Sequence, residues 1–188
     1  MSTKYKFRDQ SKLYFVSFAV VYWIDVFIRN EYKDILVDSW RFCQKSKGLE
    51  LYAWCIMTSH VHLIIGTHDN NMEAILRDMK RHTSGKLREA IKVNSKESRR
   101  EWMLWMMQRA REKNNKDFQF WQQDNHPIEL NTPEVTQQKL DYLHYNPVEA
   151  GIVRHPEDYL YSSAMDYFTG SRGLMDIMRI DPILRPNI

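Results

Sequence analysis

Two short segments carry side chains that could act together. In SHVHLII, Ser59 to Ile65, His60 and His62 flank a single valine. On a strand, positions i and i+2 leave the same face about 6 to 7 Å apart, so both imidazoles can converge on one ion. In DYLHYN, Asp141 to Asn146, Tyr142 and Asn146 stand at i and i+4, which stacks a hydroxyl and a carboxamide on one face of a helix. Imidazoles plus an amide oxygen, with water completing the shell, suit Mg²⁺ or Mn²⁺ bound together with a phosphate, and the hard oxygen ligand without cysteine argues against structural zinc. Tyr142 would then be the nucleophile. A phenol of pKa about 10 attacks a phosphodiester only where a cation polarises the phosphate and the proton has somewhere to go. Spacing alone leaves a plainer reading open, with the histidines on a half-exposed sheet face and Tyr142 and Tyr145 covering the sheet.

The groups require a strand and a helix beneath them. Leu13 to Tyr22 is dominated by valines and aromatics and predicts a first, buried strand. NEYKDILVDSWRFCQKSKG has Ile35, Leu36, Trp40 and Cys43 near helical spacing, with Gly48 as the stop. LELYAWCIM and HVHLIIGT, split by Thr58 and Ser59, predict an antiparallel hairpin. From Asn71 to Ile91 an apolar stripe and a basic side bearing Arg77, Lys80, Arg81 and Arg88 predict a long amphipathic helix. Residues 93–116 carry a Trp/Met cluster between charged ends and read as a partly helical insertion. Phe118 to Gln122 predicts a strand that breaks at DNHP and resumes towards Leu130, followed by a helix capped by Thr132, opened by Pro133 and stopping near Pro147. The order βαββαβα is that of an α+β ferredoxin-like sandwich, an antiparallel sheet with helices packed on it.

The 188 residues suit one domain, 1–188, with a C-terminal tail from about residue 165. Cys43 and Cys55 lie in apolar surroundings without metal-ligand spacing, as buried reduced thiols of a cytoplasmic protein would. The basic start KYKFRDQSK before LYFVSFAVVYWI imitates a secretory leader. That apolar run is too short to span a bilayer and has no small-residue cleavage site, so no membrane role is expected. A net charge of +3 confines any nucleic-acid surface to a local patch.

MTSHVHLII, then FWQQDNHPIEL, then LDYLHYNPVEAGIV give an ordered set of motifs over most of the chain, from about Leu13 to Tyr161. In this the sequence resembles the REP-associated tyrosine transposases and the single-strand transposases of insertion sequences, within the HUH endonuclease superfamily. The resemblance implies a divalent cation on His60 and His62, with Asn146 as third protein ligand. It also selects Tyr142 over Tyr145 as the nucleophile, because Tyr142 precedes the Asn-Pro pair by four residues. The implied reaction is attack on single-stranded, hairpin-bearing DNA, giving a 5′-phosphotyrosyl link and a free 3′-hydroxyl. Departures occur at Thr58 and Ser59, where relatives often carry Pro-Asn or Pro-Asp, and at Lys92 to Lys116, which the shortest relatives lack.

On that reading Arg77, Lys80, Arg81 and Arg88 contact DNA phosphates, and Arg99, Arg100, Arg109 and Arg111 extend the surface. His126, His144 and Glu129 are weaker site candidates, and His144 should face away from Tyr142 round the helix. Two alternatives stand beside the nickase: a non-catalytic nucleic-acid-binding protein on the same sheet, and a metal-binding protein without a DNA role. Monomer and homodimer are both compatible with the sequence.

Overall fold

The structure, a computed structural model, describes residues 7–111, 118–123 and 125–181. The end of the expected insertion, 112–116, the first residues of the domain and the last of the tail lie outside the described residues, as does the side chain of Arg111.

Strand β1, Tyr14–Ala19, is buried along nearly its whole length, because helices cover both faces of the sheet it centres. It ends earlier than its apolar run predicts. After Val20 the chain turns through Val21–Trp23, and the buried side chains of Val21 and Ile24 satisfy the hydrophobic pattern without continuing the strand. Helix α1, Asn30–Lys47, stops at Gly48, whose φ of 69° is the left-handed conformation that favours glycine; its N–H donates to the Cys43 carbonyl. Strands β2, Leu49–Ile56, and β3, His60–Thr67, form the expected hairpin, with a bulge between Leu51 and Ala53. Helix α2 spans Met72–Val93, and helix α3, Arg100–Arg111, occupies half of the expected insertion.

The fourth strand is reduced to β4, Ile128–Glu129. Phe118 to Gln122 is not a strand: it meets the sheet at one bridge, Val20 with Trp121, flanked by hydrogen bonds from Val21 N–H to the Phe120 carbonyl and from Gln122 N–H to the Ala19 carbonyl. The ladder cannot run on, because Pro127 lacks an N–H and His126 takes a φ of 41°. Helix α4, Pro133–Glu149, is capped by the Thr132 hydroxyl, which accepts from Val135 N–H at 3.3 Å. It runs through Pro147, the expected stop, to Glu149, and Gly151, with a φ of 69°, follows its cap at Ala150.

Among the described residues the sheet is four-stranded and antiparallel, in the order β2-β3-β1-β4. This is the ferredoxin-like α+β order. Trp54, Leu63, Val16 and Phe18 face α1 and α2, as the Trp40–Trp54 contact and the Lys80 ammonium over Phe18 show. The opposite face carries Phe15, Ser17, Cys55 and His62, and α4 covers it. After α4 the chain returns along the open edge of β2. Ile56 N–H donates to the Tyr161 carbonyl, Ser163 N–H to Trp54 and Met178 N–H to Leu51. Short helix α5, Ala164–Phe168, lies in this return, which removes an edge otherwise free to pair with another chain. Cys43 and Cys55 are buried free thiols.

Candidate active site

The register of β3 places His60 and His62 on the α4 side of the sheet, with Ala19 and Ser17 of β1 opposite them. Their rings stand edge to face, with centroids 4.7 Å apart. His62 is 3 % exposed. Phe15, two positions from Ser17 on the same face, stacks on His62 at 5.4 Å and an interplanar angle of 22°. His60 lies nearer the rim, against the edge of Trp23 at 5.4 Å.

From above, α4 presents two flanks. Leu140, Leu143, His144 and Pro147 are buried, whereas Tyr142 and Asn146 run along the flank over β3. Asn146 Nδ2 donates to His62 Nε2 at 3.2 Å. The Tyr142 ring meets His62 at 5.2 Å and Phe15 at 6.0 Å, and Tyr142 remains 44 % exposed. Lys139, one turn earlier, holds its ammonium 5.5 Å from the Phe15 centroid and 5.7 Å from that of Tyr142. Tyr145 turns away, to Phe168 at 5.9 Å.

Burial sets the protonation of the histidines. It pushes His62 down to about 3 from 6.5, with positive charge at His60 and Lys139 acting the same way. Burial also lowers His60, against the opposing pull of Asp25. Both rings are therefore neutral at neutral pH, the form that offers a lone pair. Ser59 Oγ lies 3.3 Å from His60 Nδ1, where it can accept the ring N–H and leave Nε2 open. His62 Nδ1 is buried without a hydrogen-bond partner among the described residues, and its Nε2 faces the Asn146 amide. Rotation of that amide exchanges Nδ2 for Oδ1, so the three side chains fit a hard cation shared with a phosphate oxygen. Among the described residues no group of three or more His, Cys, Asp or Glu side chains converges on one point.

The other anticipated residues lie elsewhere. Arg77, Lys80, Arg81 and Arg88 are on α2, across the sheet from His62. Lys80 donates to the Gln122 carbonyl at 2.9 Å and to Asn125 Oδ1 at 2.7 Å; Arg77 pairs with Asp78; Arg88 covers the Phe118 ring. Arg81 is exposed. Glu129 accepts from the Tyr14 hydroxyl on the far face, and His144 packs against Tyr167 and Phe168 with Nε2 2.9 Å from Ser163 Oγ. Sequence reasoning missed Phe15, Lys139 and Trp23. The three-residue step from Lys139 to Tyr142 could have revealed the lysine; the other two depend on tertiary register.

The family model for IS200-like transposases matches residues 13–123. The chain belongs to the IS200-like transposase family. The match takes in β1, β3 and both histidines and stops short of α4. This IS200-like chain superposes on a solved structure described as a REP-associated tyrosine transposase bound to a REP hairpin, with a TM-score of 0.64 and 15% identity over 98% of this chain and 100% of that one. That likeness shows the fold. A putative transposase from Deinococcus radiodurans aligns at 23% identity over 49% of this chain and 71% of its own, with a TM-score of 0.36. A search of curated proteins finds no match. No described helix is long and apolar enough to cross a membrane.

Proposed function

We propose that this transposase-family chain nicks and rejoins single-stranded DNA at hairpin-bearing sites, with Tyr142 as nucleophile and His60, His62 and Asn146 as the holders of Mg²⁺ or Mn²⁺. The observation that carries the reading is that His62 meets the Asn146 amide at 3.2 Å and the Tyr142 ring at 5.2 Å on one sheet face. The hairpin as substrate rests on the solved transposase of the same fold, which is bound to one.

The bound cation would polarise the non-bridging oxygens of the scissile phosphate. Tyr142 supplies the nucleophile from the exposed rim of the site. Its Oη–P bond forms as the bond from phosphorus to the 3′-oxygen breaks, and the phenol proton ends on the departing 3′-hydroxyl by way of solvent. One phosphodiester is exchanged for another, so a 3′-hydroxyl can reverse the step and rejoin a strand without an added energy source. Phe15 and His62 fix the tyrosine ring from beneath. Lys139 places a cation beside it, where a phosphate approaches. Tyr142 meets His62 of the same chain at 5.2 Å, so the proposed attack needs no tyrosine from a second copy.

The test is incubation of labelled hairpin oligonucleotides with Mn²⁺ or Mg²⁺ and a search for a denaturation-resistant adduct. Wild type and Tyr145→Phe form it; Tyr142→Phe does not. An adduct that persists in Tyr142→Phe removes the assigned nucleophile, and tight binding with no adduct on any hairpin favours a binding protein on the same fold.

A further inference from the structure

Beside His60 the chain does something unusual for its sequence. Tyr22 and Trp23 both adopt left-handed backbone, with φ of 54° and 55°, a conformation disfavoured for any residue with a Cβ and more so for a bulky ring. The turn is held from both sides. Val20 N–H donates to the Ser59 carbonyl, Val21 N–H to Phe120 and Phe27 N–H to Thr58. The flanking Val21 and Ile24 are buried. Arg99, ion-paired with Glu97, donates to the Asp25 carbonyl at 3.1 Å, and α3 packs against the turn. The strained backbone thus directs two aromatic rings outward, leaving Tyr22 43 % and Trp23 57 % exposed.

Core packing would not need such a turn, since the rings it presents are not in the core. Strain retained at a well-braced position points to a use for what it displays. Trp23 sits edge-on to His60, and His60 in turn to His62. An aromatic surface open to solvent at that place suits a flat, uncharged π face. A single-stranded nucleic acid presents one at every nucleotide, whereas paired bases keep theirs stacked.

We propose that Trp23, with Tyr22 exposed beside it in the turn, is a stacking platform for the unpaired base adjoining the scissile phosphate. Its position relative to the scissile bond rests on the nickase reading; its preference for unpaired bases does not. The platform would hold the strand by its base while His60, His62 and Asn146 engage the phosphate, selecting an unpaired stretch over duplex without reading a particular base.

The test measures binding of fluorescein-labelled oligothymidylate, and of a duplex control, to the full chain in EDTA, so that neither cation nor chemistry contributes. Trp23→Gly should weaken oligothymidylate binding by about 5- to 150-fold, the range for loss of one base stack, with duplex binding unchanged. Trp23→Phe should retain most of the affinity. Because glycine accepts a positive φ freely, Trp23→Gly should melt no lower than wild type, which separates lost stacking from lost structure. Wild-type affinity in Trp23→Gly, or an equal loss for duplex, overturns the platform. Adduct formation, assayed separately on hairpin oligonucleotides, distinguishes the two readings. No adduct in wild type together with selective loss of oligothymidylate binding in Trp23→Gly sinks the nickase and keeps the platform. A normal wild-type adduct with unchanged Trp23→Gly binding does the reverse.

Discussion

Acid should strip this protein of stability through two buried imidazoles, and His144 allows the effect to be isolated. Its ring is 1 % exposed, is enclosed by Tyr167 and Phe168, and has Nε2 at 2.9 Å from the Ser163 hydroxyl. Burial pushes its pKa from 6.5 down to about 3, and His62 is displaced as far. In the folded protein both rings stay neutral; the unfolded chain takes up protons below its ordinary histidine pKa. Stability is therefore fully present above about pH 6.5 and is lost as pH falls towards about 3, at about 1.4 kcal/mol per pH unit for each ring. At pH 5 each histidine has cost about 2 kcal/mol. Together they remove about 4 kcal/mol, against a total stability of about 5–15 kcal/mol for a domain.

Urea unfolding of wild type and His144→Gln at pH 7 and pH 5, in EDTA to keep cations off His62, reads this directly. At pH 7 the variant should be the weaker, by about 1–2 kcal/mol, from lost packing against Tyr167 and Phe168. At pH 5 the gap should shrink by about 2 kcal/mol, because the variant no longer resists a proton. A gap equal at the two pH values would refute the argument that burial holds His144 neutral. The same burial bears on chemistry, since a His62 that stays unprotonated at pH 5 keeps its lone pair where a free imidazole would lose it.

Tyr142→Phe should abolish the adduct yet change stability by less than about 0.5 kcal/mol in the same urea assay, because its side chain is half in solvent. Lys139→Glu should weaken binding of single-stranded oligonucleotides and flatten the dependence of log affinity on log salt by about 0.7, one phosphate contact; an unchanged slope would remove Lys139 from the DNA path. Gly66→Ala should cost about 0.5–1.5 kcal/mol in urea unfolding, since the new Cβ would stand 2.8 Å from Glu50 Oε2 and 2.9 Å from Leu13 Cδ2, the ends of half-buried side chains that must turn aside from their rotamers.

What the sequence could and could not disclose follows from which contacts are local. The hairpin carrying His60 and His62, the Gly48 stop and the Thr132 cap depend on neighbours a few residues away, and each stands where the pattern puts it. The first strand was overdrawn because Val20 and Val21 are as apolar as a strand requires; what bends the chain there is hydrogen bonding to Ser59 and Phe120, residues remote in sequence. The segment around Trp121 misled for the related reason that its rings are buried by packing on Phe18 and Phe27, not by a ladder.

Faces are harder to read than elements. Periodicity says that Arg77, Arg81 and Arg88 point away from whatever α2 covers, but not which side of the sheet α2 covers. The answer, the side opposite His62, separates that basic stripe from the histidines by the thickness of the sheet. For α4 the local spacing sufficed. Residues four apart share a flank, so Tyr142 and Asn146 reach His62 together while His144, between them in sequence, is carried round to Ser163. A strand of DNA lying over His62 would thus meet Lys139 and Trp23 before any cation of α2. The substitutions at those two positions, more than any on the α2 stripe, should therefore decide how an unpaired strand is held.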